Sequence, residues 1–187
     1  MGRPLTNAEL AVLGLIVERE MHGYEIEAVI RERGMRNWTE IGFSSIYHIL
    51  GLLEREGLIG SRTEAAPGKG PARKVYRARK AGKRRYESEA LGALSVAVRP
   101  YPIFMQGLAA LPLLDSGKAA DALSSYRAGL AERLAEVQGK NLPGLPFHVA
   151  AMFSYSETLI RAESDWVSGL EAGLRAGLRE IETGGTE

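Results

Sequence analysis

Phe43-Ser44-Ser45-Ile46-Tyr47-His48-Ile49-Leu50-Gly51-Leu52-Leu53-Glu54-Arg55-Glu56-Gly57-Leu58-Ile59 reads as one short helix, a glycine stop and the opening of a strand. Ile46, Ile49, Leu50 and Leu53 recur at i, i+3, i+4 and i+7, so one face is apolar and packs inward. The opposite face starts with Ser44 and Ser45 and continues with Tyr47 and His48. Gly57 stands where the chain must leave the helix through a left-handed residue. Two basic strand-like segments follow, Leu58–Thr63 and Arg73–Arg77. A slender helix with a polar tip, beside a charged hairpin, has the shape to enter a DNA major groove and hold the adjoining backbone. The pattern predicts a mainly α chain with a small β-wing: a winged helix-turn-helix followed by helices.

Working outward, Thr6 and Asn7 are candidate caps for a first helix carrying Leu10, Leu13, Gly14 and Val17 on one face. Met21-His22-Gly23-Tyr24 makes a turn, and a second helix runs from about Tyr24 to Arg33 with Ile26, Val29 and Ile30 inward, stopped by Gly34. Trp38, Ile41 and Phe43 are expected to close the core beneath the third helix. The hairpin tip, Ala65–Pro71, is a Pro/Gly loop whose Gly-Lys-Gly lacks the strand, spacing and Ser/Thr of a phosphate-binding loop. A fourth helix is expected over about Lys80–Val98, broken by Arg99-Pro100-Tyr101-Pro102. That break divides the chain into residues 1–98, a DNA-binding domain, and 99–187, a helical dimerisation domain.

The net charge of +1 conceals an asymmetry. Residues 1–88 hold 16 Lys/Arg against 11 Asp/Glu, while residues 89–187 hold 8 against 12. Between 58 and 86 only Glu64 opposes Arg62, Lys69, Arg73, Lys74, Arg77, Arg79, Lys80, Lys83, Arg84 and Arg85. A basic stripe next to the helix tip is the footprint of a phosphate-binding surface, whereas the same run elsewhere would be a solvated face. There is no cysteine, which excludes disulfides and thiolate metal sites. The first residues lack the apolar run of a signal peptide and no stretch has the length of a membrane span, so a cytoplasmic protein is expected.

The second half predicts a short helix over Ile103–Leu111 and two long ones over about 117–139 and 146–182. On the last, Phe153, Ile160, Val167, Leu174 and Ile181 recur every seven residues, widened by Met152, Leu159, Trp166 and Leu170. A stripe of this kind needs another helix to cover it, and a partner subunit is the expected cover. Gly169, Gly173 and Gly177 align on one face and either admit a close-packed backbone or reflect only the Gly/Ala richness of the chain.

These residues resemble the PadR family of bacterial transcriptional regulators. The resemblance rests on Leu13-Gly14-Leu15-Ile16, Met21-His22-Gly23-Tyr24-Glu25-Ile26, Ser44-Ser45-Ile46-Tyr47, Leu53–Ile59 and the wing strand Lys74-Val75-Tyr76. The second half resembles the family's longer members in architecture. Three positions depart from the pattern: His48 stands where proline is usual, Gly51 interrupts the reading helix, and Arg79 replaces a capping threonine. The resemblance implies a homodimer on double-stranded DNA, C-terminal helices exchanged between subunits, and in some members planar aromatic or drug-like effectors at the dimer interface. It also implies that the Tyr24 and Tyr47 hydroxyls reach the DNA backbone.

Taken together, the expected DNA-binding residues are Tyr24, Ser44, Ser45, Tyr47, His48, Lys69, Arg73, Lys74 and Arg77, one of the two serines serving instead as helix cap. The expected dimerisation residues are Phe153, Ile160, Val167, Leu170 and Leu174. Trp38, Tyr101, Phe104, Phe147, Phe153, Tyr155 and Trp166 could line an effector pocket, although core packing is the commoner use of aromatics at helical spacing. His22, His48 and His148 lack ligand spacing, so no metal or cofactor is expected, and no catalytic constellation points to an enzyme. The expected function is a repressor on a pseudo-palindromic operator, with a winged-helix protein–protein module as the alternative.

Overall fold

The computed structural model describes residues 3–65 and 72–184, which fall into two compact units, Met1–Arg99 and Pro100–Glu187. In the first unit, helix α1 (Asn7–Glu18) starts at a reciprocal cap. The Glu9 N–H donates to the Thr6 hydroxyl at 3.3 Å, and the Thr6 N–H donates to the Glu9 carboxylate at 2.9 Å. Arg3 adds an ion pair to Glu9 at 2.7 Å. Arg3 chiefly, with Thr6 behind it, holds the buried Glu9 carboxyl below the usual carboxylate range against the opposing effect of burial. The opposite face of α1 buries Val12, Leu13, Leu15 and Ile16.

A two-residue strand β1 (Met21–His22) leads into α2 (Gly23–Glu32), and Gly34, at φ 60°, turns the chain into a 3-10 turn at Met35–Asn37. Helix α3 (Phe43–Arg55) then lays Ile46, Ile49, Leu50 and Leu53 into the core against Ile26 and Ile30. Ile41 is buried as expected. Trp38 is not: it sits after the 3-10 turn at 44% exposure, outside the core that Met35 and Ile41 already fill. The Phe43 and Ser44 side chains lie outside what the structure describes.

Gly57, at φ 72°, ends α3, and the Leu58 N–H reaches back to the Leu53 carbonyl at 2.9 Å. Strand β2 (Ile59–Glu64) pairs antiparallel with β3 (Arg73–Ala78) from Ile59 opposite Ala78 to Glu64 opposite Arg73. Strand β1 adds to the far side of β3, with Met21 opposite Tyr76, so the order is β1-β3-β2. Helix α4 (Lys80–Ser95) returns over α1, where Gly14 lies against the ring of Tyr86. It ends before Val98, with Val96 already extended, because β-branched Val96 and Val98 are solvent-exposed and nothing packs on them to offset their poor helix propensity.

The second unit holds α5 (Phe104–Ala109), a 3-10 turn at Leu111–Leu113, α6 (Ser116–Lys140) and α7 (Phe147–Gly184). Asp115 caps α6 by accepting the Lys118 N–H at 2.9 Å. Helices α6 and α7 are antiparallel, since Gln138 bonds Glu157, Tyr126 bonds Glu163 and Arg175 bonds Asp121. Their seam buries Leu130, Val137 and Ile160, with Tyr126, Leu134 and Phe153 packed around them, and Val167 is also fully buried. The heptad stripe of α7 therefore meets α6 of its own chain. Ile160 and Val167 are used up inside the protomer, while Leu170 and Leu174 are half-buried at its margin. Tyr101, Phe147, Tyr155 and Trp166 are exposed, contrary to the core use expected of them, because they lie off that seam.

Two consequences can be measured. A methyl group at Gly82 would lie 2.1 Å from the Leu58 carbonyl oxygen, a backbone atom that cannot swing away. Gly82→Ala should cost about 1–3 kcal/mol of stability, more than Gly14→Ala, whose only obstacle is the Tyr86 ring; equal melting temperatures for Gly82→Ala and the wild type would refute that packing. The Glu9 interaction is present above the carboxyl's unfolded pKa and is lost as pH falls through its depressed folded value. Glu9→Gln should be less stable at neutral pH and should show a shallower stability loss in acid, checked by urea unfolding at several pH values.

Candidate nucleic-acid interface

The start of α2, the outer face of α3 and the exposed edge of the wing form one surface. The His22 and Tyr24 rings stack with centroids 5.4 Å apart and planes 5° apart. The Arg73 guanidinium lies over the Tyr24 ring at 5.1 Å, and Arg73 also donates to the Tyr24 hydroxyl at 2.6 Å. The arrangement fixes the direction of a half-exposed phenol and leaves a whole positive charge beside it. Gly23 opens α2 because the Tyr47 ring occupies the space of its missing side chain: a Cβ there would come within 2.8 Å of it. Tyr47 is nonetheless 54% exposed. The structure thus brings Tyr24, Tyr47 and Arg73 together from three different elements.

The basic stripe is not uniformly available. Lys74 is paired with Glu54 at 2.7 Å and lies over the Tyr76 ring at 5.3 Å. Ser61 donates to the same Glu54 carboxylate, which Lys74 first and Ser61 second hold below its usual range. Arg62 is held between Glu20 and Glu64, the latter at 2.8 Å. Arg85 is paired with Glu89 at 2.7 Å. Among the described residues Arg77, Arg79, Lys80, Lys83 and Arg84 make no ion pair, and all five are exposed. Lys69 lies outside the described residues.

At the tip of α3 the cap is Gly42, in an extended conformation, so neither Ser44 nor Ser45 serves as the cap residue. The helix begins at least two residues earlier than the cap expectation required. The Ser45 hydroxyl donates to the Gly42 carbonyl at 2.5 Å and is engaged by its own backbone. His48 is exposed on the outer face, one residue beyond Tyr47. Glu54 is the residue the sequence reading did not single out. Its partner lies 20 residues on, so the helix–wing ion pair left no local signal.

No group of three or more His, Cys, Asp or Glu among the described residues could hold a metal, and no helix among them is long and apolar enough to cross a membrane.

Residues 12–88 match the sequence model of the transcriptional regulator PadR-like family. Several solved structures share the fold over most of the chain. Bacillus subtilis PadR in complex with operator DNA is 22% identical with a TM-score of 0.69, over 89% of this chain and 98% of that one. A PadR-like transcriptional regulator from Bacillus cereus is 18% identical with a TM-score of 0.67, over 91% and 99% respectively. Bacillus subtilis PadR in complex with p-coumaric acid is 21% identical with a TM-score of 0.69, over 89% and 98%. No curated protein matches the sequence.

The Lys74–Glu54 pair makes a testable claim about the charge of this surface. Glu54→Gln should free Lys74 for polyanions, tighten binding to any duplex DNA and steepen the log–log salt dependence by about 0.9. Salt-dependent fluorescence anisotropy checks this; an unchanged slope would mean the lysine is already exchanging freely.

Proposed function

We infer, from the premise that residues 12–88 belong to the PadR-like family of transcriptional regulators, that this chain is a homodimeric repressor of a pseudo-palindromic operator. The family's members are regulators and not enzymes. The observation that carries the reading is the Tyr24–Arg73–Tyr47 surface, where two half-exposed phenols and an exposed guanidinium share one face with the tip of α3. Phenols and guanidinium groups fixed in this way suit phosphate oxygens, and they set register without reading sequence. Helix α3 enters the major groove with Tyr47 and His48 outward and Ser44 at its tip. Arg73 and Arg77 hold the backbone beside it, and Lys69, which the sequence puts between the two wing strands, is a further candidate for phosphate. Lys74 joins them only by exchanging Glu54 for a phosphate.

The second subunit is inferred from α7. Met152, Tyr155, Leu159, Ala162, Trp166, Gly169 and Gly173 recur at alternating steps of three and four, and all are exposed in the single chain. A second seam of that spacing fits a second α7 from another copy, with Ile160 and Val167 backing it from within the protomer and Leu170 and Leu174 at its edge. Gly169, Gly173 and Gly177 leave room there, since a Cβ at any of them would meet nothing within 4 Å. Two reading helices related by the dimer axis then address major grooves about 34 Å apart. The repressor works where the DNA is, in the cytoplasm. A planar aromatic molecule bound beside Tyr155 and Trp166 at the interface releases it by favouring another spacing of the two heads. Bacillus subtilis PadR, the relative solved with p-coumaric acid, supports that part by likeness.

The test is anisotropy of the full chain on DNA from upstream of its own gene and on an unrelated duplex, at two salt concentrations. The expected result is a preference of about 1,000-fold or more for the upstream DNA at physiological salt. Tyr47→Ala and Arg73→Ala should each weaken binding to both duplexes, while Trp166→Glu should yield a monomer by light scattering. Equal weak binding to both duplexes, with a wild-type monomer, would overturn the reading in favour of a protein-binding winged helix.

A further inference from the structure

The outer face of α3 runs through positions 44, 48, 51 and 55, one helical ridge. Gly51 sits in the middle of it, in the interior of a helix, where glycine costs about 1 kcal/mol relative to alanine. No neighbouring backbone or apolar side chain requires it. The atom that a Cβ at position 51 would meet within 4 Å is a terminal guanidinium nitrogen of Arg55, at 3.5 Å. The Arg55 side chain therefore runs back along the helix, one turn toward its N-terminus, and brings one guanidinium nitrogen beside Gly51. An alanine methyl would touch it, and any longer side chain would compete for its place.

The charge of Arg55 is uncommitted. Its neighbours in sequence are taken: Glu54 by Lys74 at 2.7 Å and Glu56 by Arg3 at 3.2 Å. Arg55 makes no ion pair or side-chain hydrogen bond among the described residues and is exposed. A cation serving only the negative end of the helix would sit over the last carbonyls. This one reaches back toward Gly51, on the face that also carries His48 and that the reading above turns toward the groove. Of the other polar groups there, the Ser45 hydroxyl is spent on the Gly42 carbonyl and Tyr47 is laid across Gly23.

We propose that Arg55 is the principal base-reading residue of this protein, donating two parallel hydrogen bonds to the N7 and O6 of a guanine in each half-site, and that Gly51 keeps the ridge beside its guanidinium free of a longer side chain. The inference rests on the proposed repressor function and adds which base the helix reads and with what. A planar fork that donates from two nitrogens matches the guanine edge in the major groove, and a lysine, with one nitrogen on a flexible stem, holds that pair of contacts less firmly.

The experiment is selection of binding sites from a random-sequence duplex pool by the full-length protein, run in parallel with Arg55→Ala, Arg55→Lys and Gly51→Leu. All proteins are first matched for helicity, melting temperature and oligomeric state. The wild type should enrich a half-site with a fixed guanine. Both Arg55 variants should lose the preference at that single position, by about 10- to 100-fold, and keep it elsewhere. Arg55→Lys should retain wild-type affinity for an unrelated duplex, which separates reading from charge. Gly51→Leu, with Arg55 intact, should blur the same position. If the Arg55 variants select the same half-site as the wild type, Arg55 is not the reader, although the repressor function stands. If the wild type enriches nothing, the repressor reading falls and this inference with it.

Discussion

Leu58 is the point at which the winged-helix unit is tied together. Its N–H closes the end of α3 on the Leu53 carbonyl, which the left-handed turn at Gly57 makes possible. Its carbonyl accepts the Arg79 N–H at 2.9 Å, the last residue before α4. Gly82, one turn into α4, sits directly on that carbonyl, where no side chain would fit. One residue thus sets the end of the reading helix, the start of the first wing strand and the approach of the helix that returns over α1. The orientation of the wing relative to α3 follows from this knot, since β2 begins at the next residue, Ile59, which is fully buried. Side chains on α3 and on the wing can form one surface only because this backbone junction is rigid.

On that surface the decisive question is which cations are spent within the protein. A count of Lys and Arg treats the wing as uniformly basic, yet Lys74 and Arg62 face carboxylates of their own chain. Such exposed pairs contribute little to stability, of order 0–1 kcal/mol. Their larger effect is on the field, because a paired lysine offers a phosphate only the difference between two partners. Arg73 is the opposite case. It is oriented by an aromatic ring and a phenol, both neutral, and so keeps its full charge for an outside partner. The pairing pattern shifts the effective positive charge away from the middle of β3, toward Arg73 at its start and toward Arg77 and the opening of α4.

Much of the fold was legible because its signals are local. The three-four spacing of Ile46, Ile49, Leu50 and Leu53 and the stops at Gly34 and Gly57 each depend on a few neighbouring residues. The tyrosines of the candidate site could be placed on their elements for the same reason. What escaped the sequence depended on distant partners. Lys74 finds Glu54 across the helix–wing junction, Trp38 is left out of a core that others fill, and Gly23 is needed only because Tyr47 crosses from another helix. Even the cap of α3 turned on a shift of two or three residues that propensity does not resolve, since Gly42, Ser44 and Ser45 are all acceptable there.

Helix α7 shows how a correct period can yield a wrong partner. Heptad repetition says that a helix has a seam but not how many, and a helix of 38 residues has room for two. The stripe through Phe153, Ile160 and Val167 is the more hydrophobic, and α6 covers it within the chain. The second stripe, from Met152 through Tyr155, Leu159 and Trp166 to the glycines, is weaker by composition, and in the sequence Met152, Leu159 and Trp166 read only as a widening of the first. Its exposure becomes informative only once the first seam is known to be occupied. Tyr155 is left 69% exposed and Trp166 54%, although the Trp166 ring meets that of Phe104 edge-on with centroids 6.3 Å apart. An inner seam of aliphatics folds the hairpin, and an outer stripe of aromatics and glycines is left exposed on the same helix. On the proposed dimer, a substitution on the inner stripe perturbs the fold, whereas one on the outer stripe perturbs only the association of subunits.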